Sequence, residues 1–446
     1  MEHAPADLSL SAPLDMAFLP VATGFAEQAA LGLGLGRAEA MKLTLASEEV
    51  FSYLCRVSPP GQGVLLKAQG RLYCVHLSFV FQTRHLDLRL LNLTASPSLE
   101  DQADLDELGL LLASRSVERF SVQDQDEQGL RLLLIKDKAY PADEEPPPPP
   151  PPFAGPLAVG PAQDGDLLLL ARMLRGQAEP CPHDFTIPGK LMDMGASGEY
   201  GVLVARDRQG NLGGAMLWRY LAETSFWTTS GGSTVTCFGP YLFGQPAGST
   251  LAADLVEACL GRLAKSDALG LLCTMPTSSL PREYFEKLGT LNFRDGQGQD
   301  RELAMYYREL REDPGASLWA SPEVIPFLEE QYRRLAFARR LRPASHQGER
   351  RPEHSVLASR FNRSQGQAVM HPVWDGQDLA ANLERHLRAF LGEGLANIFC
   401  EMDLAHAWQA ACAPSLLDLG FTPRLVLPHA GQGDLLLWQY AGEPAL

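Results

Sequence analysis

Apolar positions near helical spacing mark two helices at the start of the chain: Leu14–Leu35, closing in the run LGLGLG, and Ala38–Val57, carrying Leu43, Leu45, Val50 and Leu54. The pattern then turns to strands. Val64–Ala68, Arg71–Phe81 and Leu86–Leu93 alternate or run apolar, the first two joined at Gln69-Gly70. A loop rich in Asp and Glu leads to a helix at Leu105–Ser116, and Val117–Gln123 and Leu130–Lys136 form strands around Glu127-Gln128-Gly129. Helix, helix, three strands, helix, two strands is the order of an α+β sandwich with helices on one face.

The stretch Pro141–Pro156, with seven consecutive prolines at Pro146–Pro152, breaks this pattern. Its prolines donate no backbone hydrogen bonds, so it predicts an extended, semi-rigid spacer, or else a ligand for a domain that reads PxxP. Beyond it, strands and helices alternate. Tyr200–Arg206 and Gly213–Leu221 read as a hairpin around Arg208-Gln209-Gly210-Asn211, and Thr234–Phe243 as a further strand. A helix at Ser249–Lys265, a buried strand at Leu271–Thr274, a short helix at Arg282–Leu288 and a strand at Glu302–Glu309 complete a mixed α/β unit. Its later half recurs. Val256, Leu260, Leu263, Cys273 and Met275 find counterparts 127 residues on in Leu383, Leu387, Phe390, Cys400 and Met402. Each copy continues to a helix ending in glycine (Gly289, Gly420) and a hairpin closing in aromatics (Tyr306 and Tyr307, Trp438 and Tyr440).

At 446 residues the chain is too long for one core, and length alone predicts two to four domains. Hydrophobic residues at 45% and charged ones at 21% support folded structure throughout, the proline run excepted. A formal charge of −16 repels phosphate backbones and anionic lipid, so neither nucleic acid nor a membrane surface is expected as a partner. One basic cluster departs from this: Arg333, Arg334, Arg339, Arg340, Arg342, Arg350 and Arg351 form either a solvated helix face and loop or a site for a pyrophosphate or an acidic partner. The eight cysteines are scattered without a CxxC pair, which suits reduced thiols, and only Cys181 and His183 approach metal-ligand spacing, so no metal is expected. With neither a signal-peptide pattern nor a run of roughly 18 apolar residues, the expected location is the cytoplasm.

The segment with most chemistry is Gly239-Pro240-Tyr241-Leu242-Phe243-Gly244-Gln245-Pro246-Ala247-Gly248-Ser249-Thr250, running from a strand into an apolar helix. A glycine turn at a helix N-terminus presents unpaired N–H groups to an anion, although ordinary strand-to-helix connections look the same. The spacing of Gln245, Gly248 and Thr250 resembles the Q/R-x-x-G-x-G/A turn of the GNAT (general N-acetyltransferase) superfamily, with Thr250 departing at the last small position. That resemblance spans roughly Leu191–Leu310 and takes Tyr284-Phe285-Glu286-Lys287-Leu288-Gly289 as the family's final helix. It implies acetyl-CoA as cofactor, held by Gln245, Ala247, Gly248, Ser249 and Thr250, with the backbone of Thr234–Phe238 polarising the thioester carbonyl. Phe285 occupies the place of the family's proton-donating tyrosine. Tyr284 and Glu223 are the candidate catalytic groups, with Glu257 a further carboxylate; both carboxylates also read as surface groups. The later copy ends alike, in Leu417-Asp418-Leu419-Gly420-Phe421. At its phosphate-loop position stand Val373-Trp374-Asp375-Gly376-Gln377-Asp378, whose two acids would repel pyrophosphate, so this copy reads as structural.

The N-terminal part carries another resemblance. Leu45-Ala46-Ser47-Glu48-Glu49-Val50-Phe51-Ser52-Tyr53 is similar to the helix of GHKL ATP-binding domains of the anti-sigma-factor serine kinase kind, with Glu49 in place and Tyr53 where the magnesium-binding asparagine belongs. Asn92 and Thr94 replace the adenine-binding Asp and Gly, and Gly109 survives from the lid glycines. The resemblance thus implies a nucleotide site (Glu49, Asn92, Gly109) eroded of its ATP and Mg²⁺ ligands. Taken together, the expected fold class is an α+β multi-domain chain: a GHKL-like α/β sandwich at 14–140, a proline-rich linker at 141–160, and a tandem GNAT-like mixed α/β body at 161–312 and 313–446. The expected function is a regulatory fusion in which an anti-sigma-kinase-like domain controls or targets an acetyl-CoA-dependent N-acyltransferase, with a signalling protein as partner. The alternative is a non-catalytic adaptor that keeps both folds for binding.

Overall fold

The computed structural model describes residues 7–82, 113, 116–124, 129–143, 145–149, 152–153, 155–220, 232–245, 249–294, 299–345, 351–362 and 366–442. The expected strand Leu86–Leu93 and most of the expected helix Leu105–Ser116 lie outside them. Two compact units divide the chain: Met1–Ala139 with Gln347–Cys400, and Tyr140–His346 with Glu401–Leu446. The sequence-based bounds 161–312 and 313–446 cut the chain differently, because residues 347–400 belong with the N-terminal segment.

The N-terminal segment runs β1 (Asp7–Pro13), α1 (Leu19–Gly32), α2 (Arg37–Val57), β2 (Gly63–Gly70), β3 (Cys74–Phe81), β4 (Arg119–Asp124) and β5 (Leu130–Asp137). Its strands form an antiparallel sheet in the order β1-β2-β3-β5-β4. Four small residues on one face of α1 (Ala22, Ala26, Ala29, Ala30) are buried and let α2 approach closely. Leu43, Ala46, Val50 and Leu54 of α2 lie on one stripe and share a core with alternate residues of β2, β3 and β5, such as Leu66, Leu77 and Leu132. Val356 and Val373 of the later segment join the same core.

In the second unit, β6 (Ala158–Pro161), α3 (Asp164–Arg175) and α4 (Pro188–Ala196) precede β7 (Tyr200–Arg206), β8 (Leu212–Arg219), β9 (Thr234–Leu242), α5 (Leu251–Leu263), β10 (Gly270–Cys273), β11 (Glu286–Arg294) and β12 (Asp300–Glu309). The strands make a seven-stranded sheet in the order β11-β12-β10-β9-β8-β7-β6, in which β9 and β10 run parallel with α5 as their crossover. One expectation is corrected here: Arg282–Leu288 is not a helix but a single 3-10 turn, Arg282–Tyr284, leading into β11. Pairing with β12 along almost the whole strand outweighs the helical spacing of Leu288 and Leu291, and Gly289 sits inside a strand. The proline segment is also not a free spacer. Asp143 accepts from Arg172 Nε at 2.9 Å, Glu145 pairs with Arg172 at 2.6 Å, and Pro147 packs against Gly176, so its start lies along α3.

Further on, β13 (Ala316–Ala320), α6 (Ile325–Leu335) and β14 (Arg339–Pro343) form a parallel pair with its helical crossover. Then follow β15 (Val356–Asn362), β16 (Gln367–Trp374), α7 (Leu379–Gly392), β17 (Asn397–Asp403), α8 (Ala407–Ala410), α9 (Ala413–Asp418), β18 (Phe421–Leu427) and β19 (Leu435–Tyr440). The pairings repeat those of the earlier body. β15/β16 is antiparallel like β8/β9, β16/β17 is parallel across a helix like β9/β10, and β18/β19 is an antiparallel hairpin like β11/β12. Cys273 and Cys400 each end the parallel register, opposite Cys237 and Met370. Just beyond, each antiparallel pair bulges, between Ala215 and Leu217 against Tyr241 and Phe238, and between Val356 and Leu357 against Trp374 and Pro372.

Candidate functional site

Parallel strands joined by a helix leave a crevice at their carboxyl ends, where ligands of open α/β sheets settle. In the seven-stranded sheet this place lies between β9 and β10. Thr234–Cys237 are paired with Gly270–Cys273, so the expectation that Thr234–Phe238 supplies a free backbone edge is corrected: that stretch is used by the ladder as far as Cys237. β10 then ends, while β9 continues to Leu242 alongside β8.

The departure is built by Gly239 and Pro240, two residues of β9 that fall where β8 has only Met216 between its paired positions. Gly239 has φ 95°, and a Cβ there would stand 2.9 Å from Tyr241 N and 3.1 Å from Ala215 O, so glycine is required. Phe243 N–H donates to Gly213 O at 3.0 Å, so strand alternation turns the N–H and C=O of Leu242 away from β8 and toward the crevice. Gln177 Nε2 donates to Leu242 O at 3.1 Å, and Thr277 Oγ1, from the segment after β10, donates to Pro240 O at 2.8 Å. The acceptors of this edge are therefore occupied, Pro240 offers no N–H, and Leu242 N–H is the donor that the edge presents.

Around the bulge the filling is aromatic and thiol-bearing. Phe185, from the 3-10 turn His183–Thr186, meets Phe238 edge-on at 5.0 Å. Tyr241 is buried, donates to Pro180 O at 3.0 Å and contacts Cys181; burial pushes its phenol well above the ordinary value. Burial likewise lifts Cys181 to about 11 and Cys259 to about 12, while Cys237 is raised first by its hydrogen bond with Cys273 and then by burial. These thiols are protonated packing groups. Among the described residues no group of three or more His, Cys, Asp or Glu is placed to hold a metal.

The sequence-predicted site residues divide. Gln245 folds back, its Nε2 donating to Phe243 O at 3.2 Å; Ser249 Oγ accepts from Leu251 N at 3.3 Å; and Thr250 is exposed, its hydroxyl 3.3 Å from Asp254. Ala247, Gly248 and Glu223 lie outside the described residues, as do Asn92 and Gly109. α5 begins at Leu251, which leaves the N–H groups of Ala252 and Ala253 outside its own ladder. Tyr284 is not on a helix; its phenol donates to Glu257, and that bond is the first cause of its raised pKa, which makes it a poorer proton donor. Phe285 is a buried core residue. In the later copy, Asp375 is paired with Arg351 at 2.6 Å and Asp378 accepts from Ser355 N at 2.6 Å, so both acids of its turn hold the chain together.

In the first unit, Glu49 is half-buried on α2, and Tyr53 is a core side chain one turn on. The basic cluster is not one patch: Arg339 is fully buried against Asp313 and Asp434, Arg342 lies over Trp319, Arg333 pairs with Glu330, and Arg334 reaches β11 carbonyls. The residues that sequence reasoning missed are Gln177, Phe185 and Thr277. Only Gly239-Pro240, a strand-breaking pair inside an apolar run, carried a signal for the bulge.

No family model matches the chain, and no curated protein matches it. Solved structures with local likeness include a phosphinothricin acetyltransferase of the GNAT superfamily from Sinorhizobium meliloti in complex with AcCoA (17% identity, 35% of this chain and 90% of that one, TM-score 0.29). Others are a ribosomal-protein-S5-alanine acetyltransferase from Vibrio fischeri (13%, 36% and 96%, 0.27) and a GCN5-related N-acetyltransferase from Kribbella flavida (16%, 34% and 97%, 0.26). Scores this low carry no argument about function. No helix among the described residues is long and apolar enough to cross a membrane.

Proposed function

We propose that the second unit is an acyl-CoA-dependent N-acyltransferase of GNAT type, and that the first unit, an anti-sigma-kinase-like fold without its ATP ligands, controls or targets it through a signalling protein. The observation that carries the acyl-CoA reading is the departure of β9 from β10 at the Gly239-Pro240 bulge, at the carboxyl ends of a parallel pair and beside the N-terminus of α5. An extended thioester would lie in that crevice, with Leu242 N–H toward its carbonyl and the N–H groups of Ala252 and Ala253 toward its pyrophosphate. Bound there, acetyl-CoA supplies the activated acyl group. The chain's own part is positioning: Thr277 and Gln177 fix the crevice edge, and Phe185 against Phe238 keeps water from the bulge.

The second reading, a non-catalytic adaptor, is favoured by three observations: Pro240 contributes no donor, the Tyr284 phenol is tied to Glu257, and Tyr53 is built into the core where a metal ligand is expected. Thermal unfolding separates the two. Acetyl-CoA at about 100 times its dissociation constant should add about 2.7 kcal/mol of stability. Absence of any shift sinks the enzyme reading, and a clear shift with Mg-ATP overturns the eroded nucleotide site.

A further inference from the structure

A groove of about 400 Å³ opens in the second unit where the first residues of β11 meet α6 and β18. It lies apart from the β9/β10 crevice. A bulge at Leu288, between the paired residues Lys287 and Gly289, turns two successive carbonyls of edge strand β11 to one side. Arg334 of α6 grips both: one Nη donates to Lys287 O, the other to Leu288 O and, at 2.7 Å, to Gln331 Oε1. All three acceptors are neutral, so the guanidinium charge is held in place without being cancelled. Gln331, having given its oxygen to Arg334, is left with an amide N–H pair. Gly289 lets β18 come close, a Cβ there standing 3.3 Å from Arg424 O, and this brings Arg424 to the opposite wall.

Lys287, Arg334 and Arg424 thus converge from three elements, and among the described residues none of them has a carboxylate partner. Arg334 takes up the carbonyls of Lys287 and Leu288, and the Gln331 amide N–H pair and the Thr290 hydroxyl stand beside them as further donors. Phe327 and Pro423 give the rest of the wall an apolar surface. We infer that this groove binds a small organic phosphate, its oxyanion between Lys287 and Arg424 and its body against Phe327 and Pro423. A donor-rich, acid-free groove on a chain of charge −16 is a local reversal of the surrounding field, and planar guanidinium groups suit phosphate oxygens.

Calorimetric titration of the full chain with inorganic phosphate and with phenyl phosphate tests this. Saturable binding of both is expected in the millimolar range or tighter, with phenyl phosphate ahead by about threefold or more. Lys287→Gln with Arg424→Gln should weaken both by at least about tenfold, whereas Arg208→Gln with Lys265→Gln, which removes the same charge elsewhere, should leave them unchanged. Phe327→Ala should remove only the phenyl phosphate advantage. Circular dichroism and melting of each variant establish that it is folded. No saturable binding of either probe, or equal loss in the two charge pairs, overturns the proposal.

Discussion

Removing the charge of Arg339 should destabilise the second unit severely, because two carboxylates are held out of water by that one cation. Its side chain is 0% exposed, Nε donates to Asp434 Oδ2 at 2.7 Å, Nη2 lies 3.3 Å from Asp434 Oδ1, and Nη1 donates to Asp313. Phe337 and Tyr332 stand 4.9 and 5.7 Å from the guanidinium carbon, and Asp434 also accepts from His429 N at 2.9 Å. Burial alone would lower the Arg339 pKa, but the hydrogen bonds and charges of Asp434 and Asp313 outweigh it and hold the group cationic. Arg339→Met strands two carboxylates, one of them 1% and the other 11% exposed. Breaking a buried pair from one side costs about 3–5 kcal/mol. With a urea m-value of about 2 kcal/mol/M, the midpoint should fall by about 1.5–2.5 M. Tryptophan fluorescence reads it, because every tryptophan except Trp374 belongs to the second unit's residues. Asp434→Asn in the Arg339→Met background should recover part of the loss, since it removes one stranded charge. A loss below about 1 kcal/mol for Arg339→Met, or no recovery in the double variant, refutes the reasoning.

Three further outcomes follow from the geometry. Gly239→Ala imposes positive φ on alanine as well as the close contacts at the bulge, so the thermal midpoint should drop by the equivalent of about 2 kcal/mol or more; an unchanged melt contradicts the bulge. His386 is lowered to about 3 from an ordinary 6.5, by burial first and then the charge of Arg385, against its hydrogen bond to Asn382 O. The folded state therefore binds fewer protons than the unfolded one, and stability should be lost as pH falls from 6.5 toward 3, a limb that His386→Leu should flatten in pH-dependent urea melts. Cys181 and Cys55, at about 11, and Cys259, at about 12, should resist iodoacetamide in the native protein at about pH 8, where a thiol of such pKa is about 0.1% thiolate or less; mass spectrometry showing rapid labelling of Cys181 would contradict its burial beside Tyr241.

Long periodic elements were legible. Of Leu43, Leu45, Val50 and Leu54, all but the exposed Leu45 form the stripe of α2, because a buried helix face leaves the same spacing in any sequence, and the antiparallel strands β2, β3 and β5 follow from apolar runs closed by turns. The second-half repeat was legible too, since Cys273 and Cys400 keep their place at the end of a parallel pair. β11 was not: Tyr284-Phe285-Glu286-Lys287-Leu288-Gly289 reads as a helix, and pairing with β12 makes the chain from Glu286 on a strand. The crevice itself was half legible. Glycine and proline in β9 announce a break, but Thr277 and Gln177, which fix its edge, come from 37 and 65 residues away. Arg339 looked like surface charge because the acid that buries it lies 95 residues on.

The central claim is that acyl-CoA lies between β9 and β10 with its pyrophosphate at the start of α5. Calorimetric titration of acetyl-CoA into the wild type and Ala253→Asp tests it most directly, because an added carboxylate in the first turn favours the helix while repelling a bound anion. Saturable binding is expected in the wild type, at least about tenfold weaker in a variant that melts no lower. Equal affinity in the two proteins, or none in either, would contradict it.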